Sequence, residues 1–275
     1  MSESMTIFNR RTVRRHRDRA AAGFGEHDFL IHDVGDRLAD RLDDVRRTFP
    51  LALDFGCHDG TLDRLLNGRG GIETLVRCDL SEKMATRSGP LAITADEEFL
   101  PFAPACFDLA LSNLSLHWVN DLPGTLAQLR RAIKPGGLML ATMLGGDTLK
   151  ELRHSLATAE INLEGGLSPR VSPFADVRDA GDLLSRAGFI GTVADSETIT
   201  VSYEHPMRLL ADLRGMGEAN AVIESRKGFT HRQTMMQAMT IYQETFGGDD
   251  GRVPATFQVI YLTAWVAEDA TTKTS

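Results

Sequence analysis

Cysteine is scarce in this chain, and long apolar runs are missing. Its 275 residues include three cysteines, Cys57, Cys78 and Cys106, with no Cys-x-x-Cys spacing. That usage indicates neither a disulfide framework nor a structural zinc site, and it suits a reducing, cytoplasmic setting. No apolar stretch approaches the length that spans a bilayer. A peripheral membrane contact is possible but unsupported by the sequence.

An excess of positive charge is also lacking. The formal net charge is −8 and the pI is near 5.5, which argues against a general nucleic-acid binder. One basic run stands near the start, and its members are Arg10, Arg11, Arg14, Arg15, Arg17 and Arg19. No apolar segment follows this run, so it is not a secretory signal, although organelle-targeting segments are also arginine-rich and acid-poor. Because the run is short, a helix that is solvated or faces a ligand is the favoured interpretation.

The order of apolar segments predicts an α/β fold. A hydrophobic content of 42% is enough for one large domain with a full core. Helical spacing marks the segment Phe29–Asp44, and strands then alternate with helices, which predicts a parallel sheet. The predicted elements are strands Leu51–Phe55, Thr74–Cys78, Leu91–Thr94, Phe107–Ser112 and Leu138–Met143, and helices Thr61–Leu66, Ser81–Arg87 and Leu122–Ile133, the last closed by Lys134–Gly137.

The second half is less regular, with a long helical stretch before a final strand. Its predicted elements are helices Thr148–Ala159 and Val177–Ala187, a loop at Ser168–Pro173, a strand at Thr192–Val201, a largely helical Pro206–Phe246 and a strand at Ala255–Val266. We divide the chain into an N-terminal basic segment and amphipathic helix (1–48), a cofactor-binding core (49–147), mixed helices with a substrate cap (148–252) and a C-terminal strand and tail (253–275).

The loop after the first strand is the strongest functional signal. Asp54, Gly56, Cys57, His58 and Gly60 follow an apolar strand and precede a helix, where glycines let backbone N–H groups approach a ligand. The spacing Asp-x-Gly-x-x-x-Gly differs from the dinucleotide pattern Gly-x-Gly-x-x-Gly. A glycine that serves only strand-to-helix packing is the alternative interpretation.

Polar residues follow the next three predicted strands as well. Asp79 lies 23 positions after Gly56, about where a carboxylate accepts both hydroxyls of a ribose. Its alternative role is a helix N-cap, for which Ser81 competes. The third strand is followed by Asp96-Glu97-Glu98 and the fourth by Asn113-Leu114-Ser115. Carboxylates at several strand ends repel a pyrophosphate but attract a sulfonium, so S-adenosylmethionine is favoured over a dinucleotide.

With these residues the chain resembles the class I S-adenosylmethionine-dependent methyltransferases. The matching segments are Leu53–Cys57 with Gly60, Asp79-Leu80-Ser81, Ala95-Asp96-Glu97, Phe107-Asp108-Leu109 and Leu129–Gly137. A closer resemblance covers nearly the whole chain and is to the bacterial counterparts of the respiratory complex I assembly factor 5 family, which is similar in turn to the malonyl-carrier-protein methyltransferases. It is carried by Asp96–Phe102, Leu114–Pro123, Gly145–Leu149 and Val253–Thr256.

The resemblance implies a Rossmann-like seven-stranded sheet whose last strand is antiparallel, flanked by helices, with a helical cap from the second half. It implies that S-adenosylmethionine is held by Asp54, Gly56, Cys57, His58, Gly60, Asp79, Leu80, Asp96, Glu97, Asn113 and Leu114. It also implies a protein or carrier-bound substrate, with a complex I subunit as a candidate. The leading hypothesis is methyl transfer; the alternatives are arginine hydroxylation, which is the activity credited to the assembly-factor family, and a noncatalytic assembly scaffold.

Three histidine positions carry further expectations. His117 and Trp118 follow the fourth strand, where a substrate would lie and where a histidine exchanges a proton near neutral pH. A structural aromatic pair is the equal alternative. His58 stands where the family commonly has glycine, so its side chain either crowds the cofactor or contacts it. His16 and Asp18 have a His-x-Asp spacing but no evident third ligand, and no metal site is predicted.

Overall fold

A seven-stranded sheet forms the centre of the molecule. The computed structural model describes residues 6–226, 228 and 230–268. The strands lie in the order β3-β2-β1-β4-β5-β7-β6. Their bounds are β1 Leu51–Phe55, β2 Thr74–Asp79, β3 Ala92–Thr94, β4 Phe107–Ser112, β5 Ile133–Leu144, β6 Ile190–Tyr203 and β7 Val253–Trp265.

The pairing confirms the predicted fold class. Strands β1 to β5 pair in parallel, and β7 runs antiparallel to both of its neighbours, β5 and β6. The chain reverses its order of strand placement at β1 and β4, which lie side by side. Ligands of open α/β sheets bind at such a switch point, beyond the carboxyl ends of the strands.

Helices cover both faces of the sheet and extend beyond one edge. Their bounds are α1 Arg10–Ala20, α2 Phe29–Asp40, α3 Thr61–Leu66, α4 Glu82–Ser88, α5 Leu122–Ala132, α6 Lys150–Glu164, α7 Val177–Arg186, α8 Pro206–Gly215 and α9 Arg232–Phe246. Leu53 and Phe55 of β1 pack in the same apolar cluster as α5, while Ala52 packs with α2 and α3 on the opposite face. Helices α6, α8 and α9 pack with β7 and with Phe24 in a third cluster, which forms the cap.

Several predicted elements differ from the observed ones, most of them by a few residues at their ends. The stretch Pro206–Phe246 is not largely helical throughout, because α8 ends at Gly215 and α9 begins only at Arg232. Gly217 lies in the interruption with a φ of 82°, a backbone conformation that stops a right-handed helix. Helix α2 ends at Asp40 instead of Asp44, and three-residue 3₁₀ turns occur at Phe24–Glu26, Arg69–Gly71 and Leu116–Trp118.

The segment Lys134–Gly137 belongs to β5 and not to a loop before it. Phe107 pairs with Ile133 and Leu109 with Leu138, so the four intervening residues bulge opposite Asp108. Lys134 donates to the Asp108 carboxylate at 2.7 Å, and a Cβ on Gly137 would lie 2.7 Å from the Asp108 carbonyl oxygen. Helix α5 does end before this segment, as predicted, but a bulged strand follows directly.

The cysteines are unpaired, as their spacing predicts. Cys57 and Cys78 are buried and Cys106 is half-buried, and all three are free thiols. Within the residues that the structure describes, no helix combines the length and the apolar character needed to cross a membrane.

Candidate cofactor crevice and cap cavity

The glycine loop after β1 is closed against the end of β4. Gly56 has a φ of 69°, and a Cβ there would lie 2.1 Å from the Ser115 Oγ. Gly60 has a φ of 85°, and a Cβ there would lie 2.6 Å from the carbonyl oxygen of Ser88. Both positions therefore require glycine for conformation and for space. The backbone N–H groups of Gly56 and Cys57 donate to the Cys78 carbonyl at 2.7 and 3.0 Å, which ties this loop to β2.

The buried carboxylate of Asp79 joins the glycine loop after β1 to the segment that follows β2. Its Oδ1 accepts from the Ser81 N–H at 2.8 Å and its Oδ2 from the His58 N–H at 3.1 Å. The Ser81 hydroxyl caps α4 by accepting from the Met84 N–H at 3.2 Å. Asp79 is thus not the side-chain cap of α4. Its carboxylate lies at the strand end where the sequence places a ribose-binding acid, with no exposed surface.

An arginine of α1 enters this acidic cluster. Val13, Arg17 and Ala20 share the buried stripe of α1, because residues three and four apart lie on one helix face. The Arg17 guanidinium donates to Glu97 Oε1 at 2.5 Å, to the Ser115 Oγ at 2.9 Å and to both Asp79 oxygens at 3.4 Å. Only 2% of its side chain is exposed. The basic start is therefore a helix that faces the crevice, one of the two predicted possibilities.

Arg10 holds the outer part of the same cluster. Its guanidinium contacts Asp96 at 2.7 Å, pairs with Glu97, and donates to the Trp118 carbonyl at 3.0 Å. Burial alone would raise the pKa of Glu97, but the charges of Arg17 and Arg10 lower it to about 2. Glu97 thus remains anionic because α1 supplies its counter-charges.

His58 occupies the loop with strain and without charge. Its φ of 50° lies in the left-handed region, which costs a non-glycine residue about 1 kcal/mol and explains why glycine suits this position. The ring stacks on Phe24 at 5.5 Å, and Nε2 donates to the Asn113 carbonyl at 3.0 Å. Burial, then the charge of Arg17, lowers the pKa of His58, so the ring is neutral. A ligand that enters this loop would contact the His58 ring, and the Asn113 carbonyl oxygen there already accepts a hydrogen bond from His58.

Asn113 and Leu114 shape the β4 end. The Asn113 amide donates to the Ile31 carbonyl at 2.8 Å and accepts from the Thr142 hydroxyl at 2.9 Å. Leu114 has a φ of 48°, and its N–H donates to the Thr142 Oγ1 at 2.9 Å. The Asn113 side chain is therefore turned away from the crevice, which leaves only its backbone in a position to contact a ligand.

The remaining predicted cofactor residues fall into two groups. Cys57 and Leu80 are buried, with Leu80 packed in the cluster that contains Phe8 and Trp118. Asp54 is fully buried on the face of β1 covered by α2 and α3, beside Arg77 of β2, and neither of its carboxylate oxygens has a hydrogen-bond partner. Burial raises the pKa of Asp54 to about 8. Asp54 is therefore a buried acid on the face of the sheet that α2 and α3 cover.

The pair His117 and Trp118 meets a residue that no sequence pattern indicated. Glu218, in the segment between α8 and α9, accepts from His117 Nε2 at 2.9 Å and from Trp118 Nε1 at 3.0 Å. His117 Nδ1 lies 3.4 Å from the Leu144 N–H, which places the ring proton on Nε2. Both ring nitrogens are thus engaged, so His117 is not positioned as a free proton acceptor. Trp118 also packs edge-on against Phe8 at 5.3 Å.

Two adjoining cavities lie in the cap next to Glu218. The inner one, of about 330 Å³, is lined by apolar side chains of α6, α8 and α9 and by four charged residues, Glu218, Arg170, Arg214 and Arg226. The outer one, of about 840 Å³, borders Ile7 and Val222. Both share a wall that consists of Leu156, Pro169, Arg170, Val171 and Phe174. Phe174 lies 5.7 Å from the His117 ring, so the cavities reach the β4 end of the sheet.

His16 is engaged elsewhere, and the expectation of no metal stays a prediction. Its Nδ1 lies 3.0 Å from the Ala219 carbonyl oxygen, while Asp18 accepts from the Ser81 hydroxyl at 2.5 Å. In the part of the chain that the structure describes, no three His, Cys, Asp or Glu side chains are grouped as a metal site.

The crevice fits a cationic ligand that is rich in hydrogen-bond donors. Its buried side chains, Asp79, Glu97 and Ser115, already bind the Arg17 guanidinium, a cation with N–H donors. The ribose hydroxyls, amino group and sulfonium of S-adenosylmethionine present the same chemistry, whereas a pyrophosphate presents the opposite charge. These acceptor groups therefore fit S-adenosylmethionine once the Arg17 guanidinium moves away from Asp79.

Comparison with known proteins shows the family to which the chain belongs. Residues 53–141 match the family model described as a methyltransferase domain. The arginine-hydroxylase NDUFAF5 of Danio rerio is 43% identical over 98% of this chain and 86% of its own length. The malonyl-[acyl-carrier protein] O-methyltransferase of a Methylovorus species is 36% identical over 96% of this chain and 92% of its own.

Solved structures share the fold at low identity. The YcgJ protein of Bacillus subtilis superposes with a TM-score of 0.58 at 12% identity, over 84% of this chain and 98% of its own. The two relatives are 43% and 36% identical to this chain over 98% and 96% of it, which shows the family. The chain therefore belongs to the class I S-adenosylmethionine-dependent methyltransferase family, together with the NDUFAF5 arginine-hydroxylases and the malonyl-[acyl-carrier protein] O-methyltransferases.

Proposed function

We propose that this protein transfers a methyl group from S-adenosylmethionine to a substrate carried on a protein. The acidic crevice at the ends of β2 and β3 is the observation that carries the proposal. Asp79 and Glu97 are fully buried there, and both contact the Arg17 guanidinium of α1. A buried site with this charge selects a cationic donor and excludes phosphate ligands.

The chain's own residues would hold the cofactor in defined roles. Asp79 accepts hydroxyl donors, the Gly56 backbone allows close approach, and Asp96 and Glu97 bind donors on the β3 side. When bound, S-adenosylmethionine supplies a methyl group already activated by a sulfonium, so the protein's main tasks are to position the acceptor and exclude water. Helix α1 performs the second task, because Val13, Arg17 and Ala20 cover the crevice.

The cap cavities supply a place for the acceptor. Apolar side chains of α6, α8 and α9 line the inner cavity together with three arginines and with Glu218, which contacts His117 and Trp118. The larger outer cavity borders the first described residues of the chain. A smaller cavity that shares a wall with a larger one suits a side chain or prosthetic arm that projects from a larger partner.

Arginine hydroxylation is a second candidate. The relatives that share 43% identity with this chain are named arginine-hydroxylases, and this similarity covers 98% of it. With hydroxylation the partner would be a subunit of respiratory complex I, as the sequence resemblance implies. We also propose a cytoplasmic location from the three unpaired thiols, whereas the NDUFAF5 relatives are named mitochondrial.

Incubation with a complex I subunit separates these activities. We expect the subunit to gain the mass of a methyl group, and only when S-adenosylmethionine is present. Intact-protein and peptide mass spectrometry read out the change and its position. A mass gain of one oxygen atom would show that the activity is hydroxylation and not methyl transfer. An unmodified subunit that still binds the protein would indicate a noncatalytic scaffold.

Cofactor binding tests the role of Asp79 directly. We expect S-adenosylhomocysteine to bind in calorimetric titration, and Asp79→Asn to weaken binding by about 1–3 kcal/mol through lost charge-assisted hydrogen bonds. Asp33→Asn removes a half-exposed carboxylate that pairs only with Arg37 on α2, so it should leave the affinity unchanged. Equal affinities for wild type and Asp79→Asn would show that this carboxylate does not bind the ribose.

A further inference from the structure

Helix α1 carries two separate sets of arginines. Arg10 and Arg17 face the acidic crevice and are paired there. The opposite, exposed face carries a second set at positions i, i+4 and i+8, which we call the basic stripe and which consists of Arg11, Arg15 and Arg19. None of the ion pairs that the described residues form involves a member of the stripe. The stripe is therefore unneutralised positive charge on a chain whose formal net charge is −8.

A groove lies beside the basic stripe, between α1 and the segment 220–225. Its volume is about 430 Å³. Among the described residues, the titratable side chains that line this groove are Arg15 and His16, both from α1. On the other wall, Ile223 presents an apolar side chain that is 43% exposed. The groove thus combines exposed positive charge with an exposed apolar residue.

The segment 220–225 also separates this groove from the cap cavities. Val222 lines both the groove and the outer cavity. An antiparallel bridge between Phe8 and Val222 holds the segment to the residues before α1, and the Asn9 N–H donates to the Ala221 carbonyl oxygen at 2.9 Å. A protein bound in the groove would therefore lie directly beside the outer cavity.

We propose that the basic stripe and this groove bind an acidic amphipathic helix on the surface of the protein that carries the acceptor. Unpaired guanidinium groups attract carboxylates over a Debye length of about 10 Å, and the negative charge of the rest of the chain repels an acidic partner that approaches elsewhere. Apolar side chains of the bound helix contact Ile223, and its carboxylates face the stripe. The proposal rests on the proposed function, and it specifies the surface chemistry of the substrate-bearing partner.

A membrane or a nucleic acid fits this face less well. The apolar residues of α1, Val13 and Ala20, are buried inside the molecule, so the exposed face of the helix has no apolar side chains to enter a bilayer. A nucleic acid requires a more extensive basic surface than three arginines on a chain of net charge −8. An acidic protein surface is the partner that matches both the stripe and the groove.

Two synthetic peptides test this surface on the full chain. The probe is an amphipathic helical peptide of about 20 residues with glutamate on its polar face, and its counterpart has lysine at the same positions. In ¹H–¹⁵N spectra, we expect the glutamate peptide to shift the backbone amide signals of Arg15 and Ile223. Val193, half-exposed on the edge strand β6, is the internal control and should not shift. The lysine peptide should shift none of these signals.

Matched triple variants separate the stripe from a general effect of charge. Replacing all three arginines of the stripe with glutamine should weaken binding of the glutamate peptide about tenfold or more. The control makes the same change at three exposed arginines of α5 and α7, and it should leave that affinity unchanged; these are Arg131, Arg178 and Arg186. Both variants should bind S-adenosylhomocysteine as the wild type does, which verifies that they fold.

The outcomes distinguish this docking surface from the proposed function. Equal affinities for the two peptides, or equal weakening in the two triple variants, would overturn the docking surface. Vesicles of phosphatidylglycerol and phosphatidylcholine that bind through the stripe when the glutamate peptide does not would also overturn it, in favour of a membrane. If S-adenosylhomocysteine fails to bind the wild type, the proposed function is wrong, whereas stripe-dependent binding of the glutamate peptide would still support the docking surface.

Discussion

Asp54→Asn should stabilise the protein at neutral pH by about 4 kcal/mol and by nothing at pH 3.8, the ordinary pKa of the group. Both carboxylate oxygens of Asp54 are buried without a hydrogen-bond partner, and its pKa rises to about 8 in the fold. The folded state therefore keeps a proton that the unfolded state releases above pH 3.8. Asparagine has the shape of the protonated acid, but it does not have to take up a proton when the chain folds at neutral pH.

The sign follows from proton linkage. Because the folded-state pKa is raised, the stability associated with Asp54 is fully present below pH 3.8 and is lost as pH rises to about 8. Over that window the free energy of unfolding of the wild type should fall by about 1.4 kcal/mol per pH unit relative to the variant. Denaturant titrations across this range measure the difference between the two proteins directly.

A surface substitution controls for the loss of one negative charge. Asp195→Asn in β6 removes a half-exposed carboxylate that pairs with Arg41 at 2.9 Å, and its effect should stay below about 1 kcal/mol. A pH-independent difference between Asp54→Asn and wild type would mean that Asp54 is already ionised in the fold, with Arg77 beside it as the counter-charge.

Local signals explain why the first half of the fold was predictable. The strands Leu51–Phe55 and Phe107–Ser112 and the helix Thr61–Leu66 agree with the sequence prediction at both ends. Each is short, apolar or amphipathic, and bounded by glycine, proline or a change in polarity. The acidic strand ends were also predictable, because parallel strands bring their carboxyl ends to one edge of the sheet.

The partners of those acids were not predictable in the same way. Arg17 lies in a run of arginines, and a run of like charge ordinarily indicates a solvated helix face. Only the stripe with Val13 and Ala20 distinguishes Arg17 from its neighbours. Opposite charge in two separate segments, the basic start and the acidic strand ends, was the available signal that they pack together.

Glu218 was missed because its contacts are distant in sequence. It meets His117 and Trp118 across about a hundred residues, and a methionine-rich stretch around it predicts helix. Gly215 and Gly217, on either side of Met216, were the local signal that the helix stops before Glu218. Long-range pairing of a carboxylate with an imidazole and an indole has no period that a single sequence displays.

Arg17→Met should destabilise the protein by about 3–5 kcal/mol while it strengthens the response to S-adenosylhomocysteine. Methionine fills much of the same volume but leaves Asp79 and Glu97 without their shared buried cation, and an uncompensated buried charge costs that amount. Arg14→Met is the control, because Arg14 is half-exposed on the same helix and its contacts to Asp18 and Glu82 are 3.8 and 3.7 Å long. That control should cost less than about 1 kcal/mol.

The fall in the free energy of unfolding at acidic pH provides an independent measurement. The pKa of Glu97 is lowered to about 2 in the wild type, so its contribution is present above pH 4.5 and is lost as pH falls from 4.5 to about 2. Without Arg17 that pKa rises, and the loss should begin at higher pH.

The ligand response separates the two roles of Arg17. Cofactor binding in the wild type must release Asp79 from Arg17, whereas in Arg17→Met the carboxylate is already free. The rise in Tm with saturating S-adenosylhomocysteine should therefore be larger in Arg17→Met than in wild type. A smaller rise would mean that Arg17 binds the cofactor instead of competing with it.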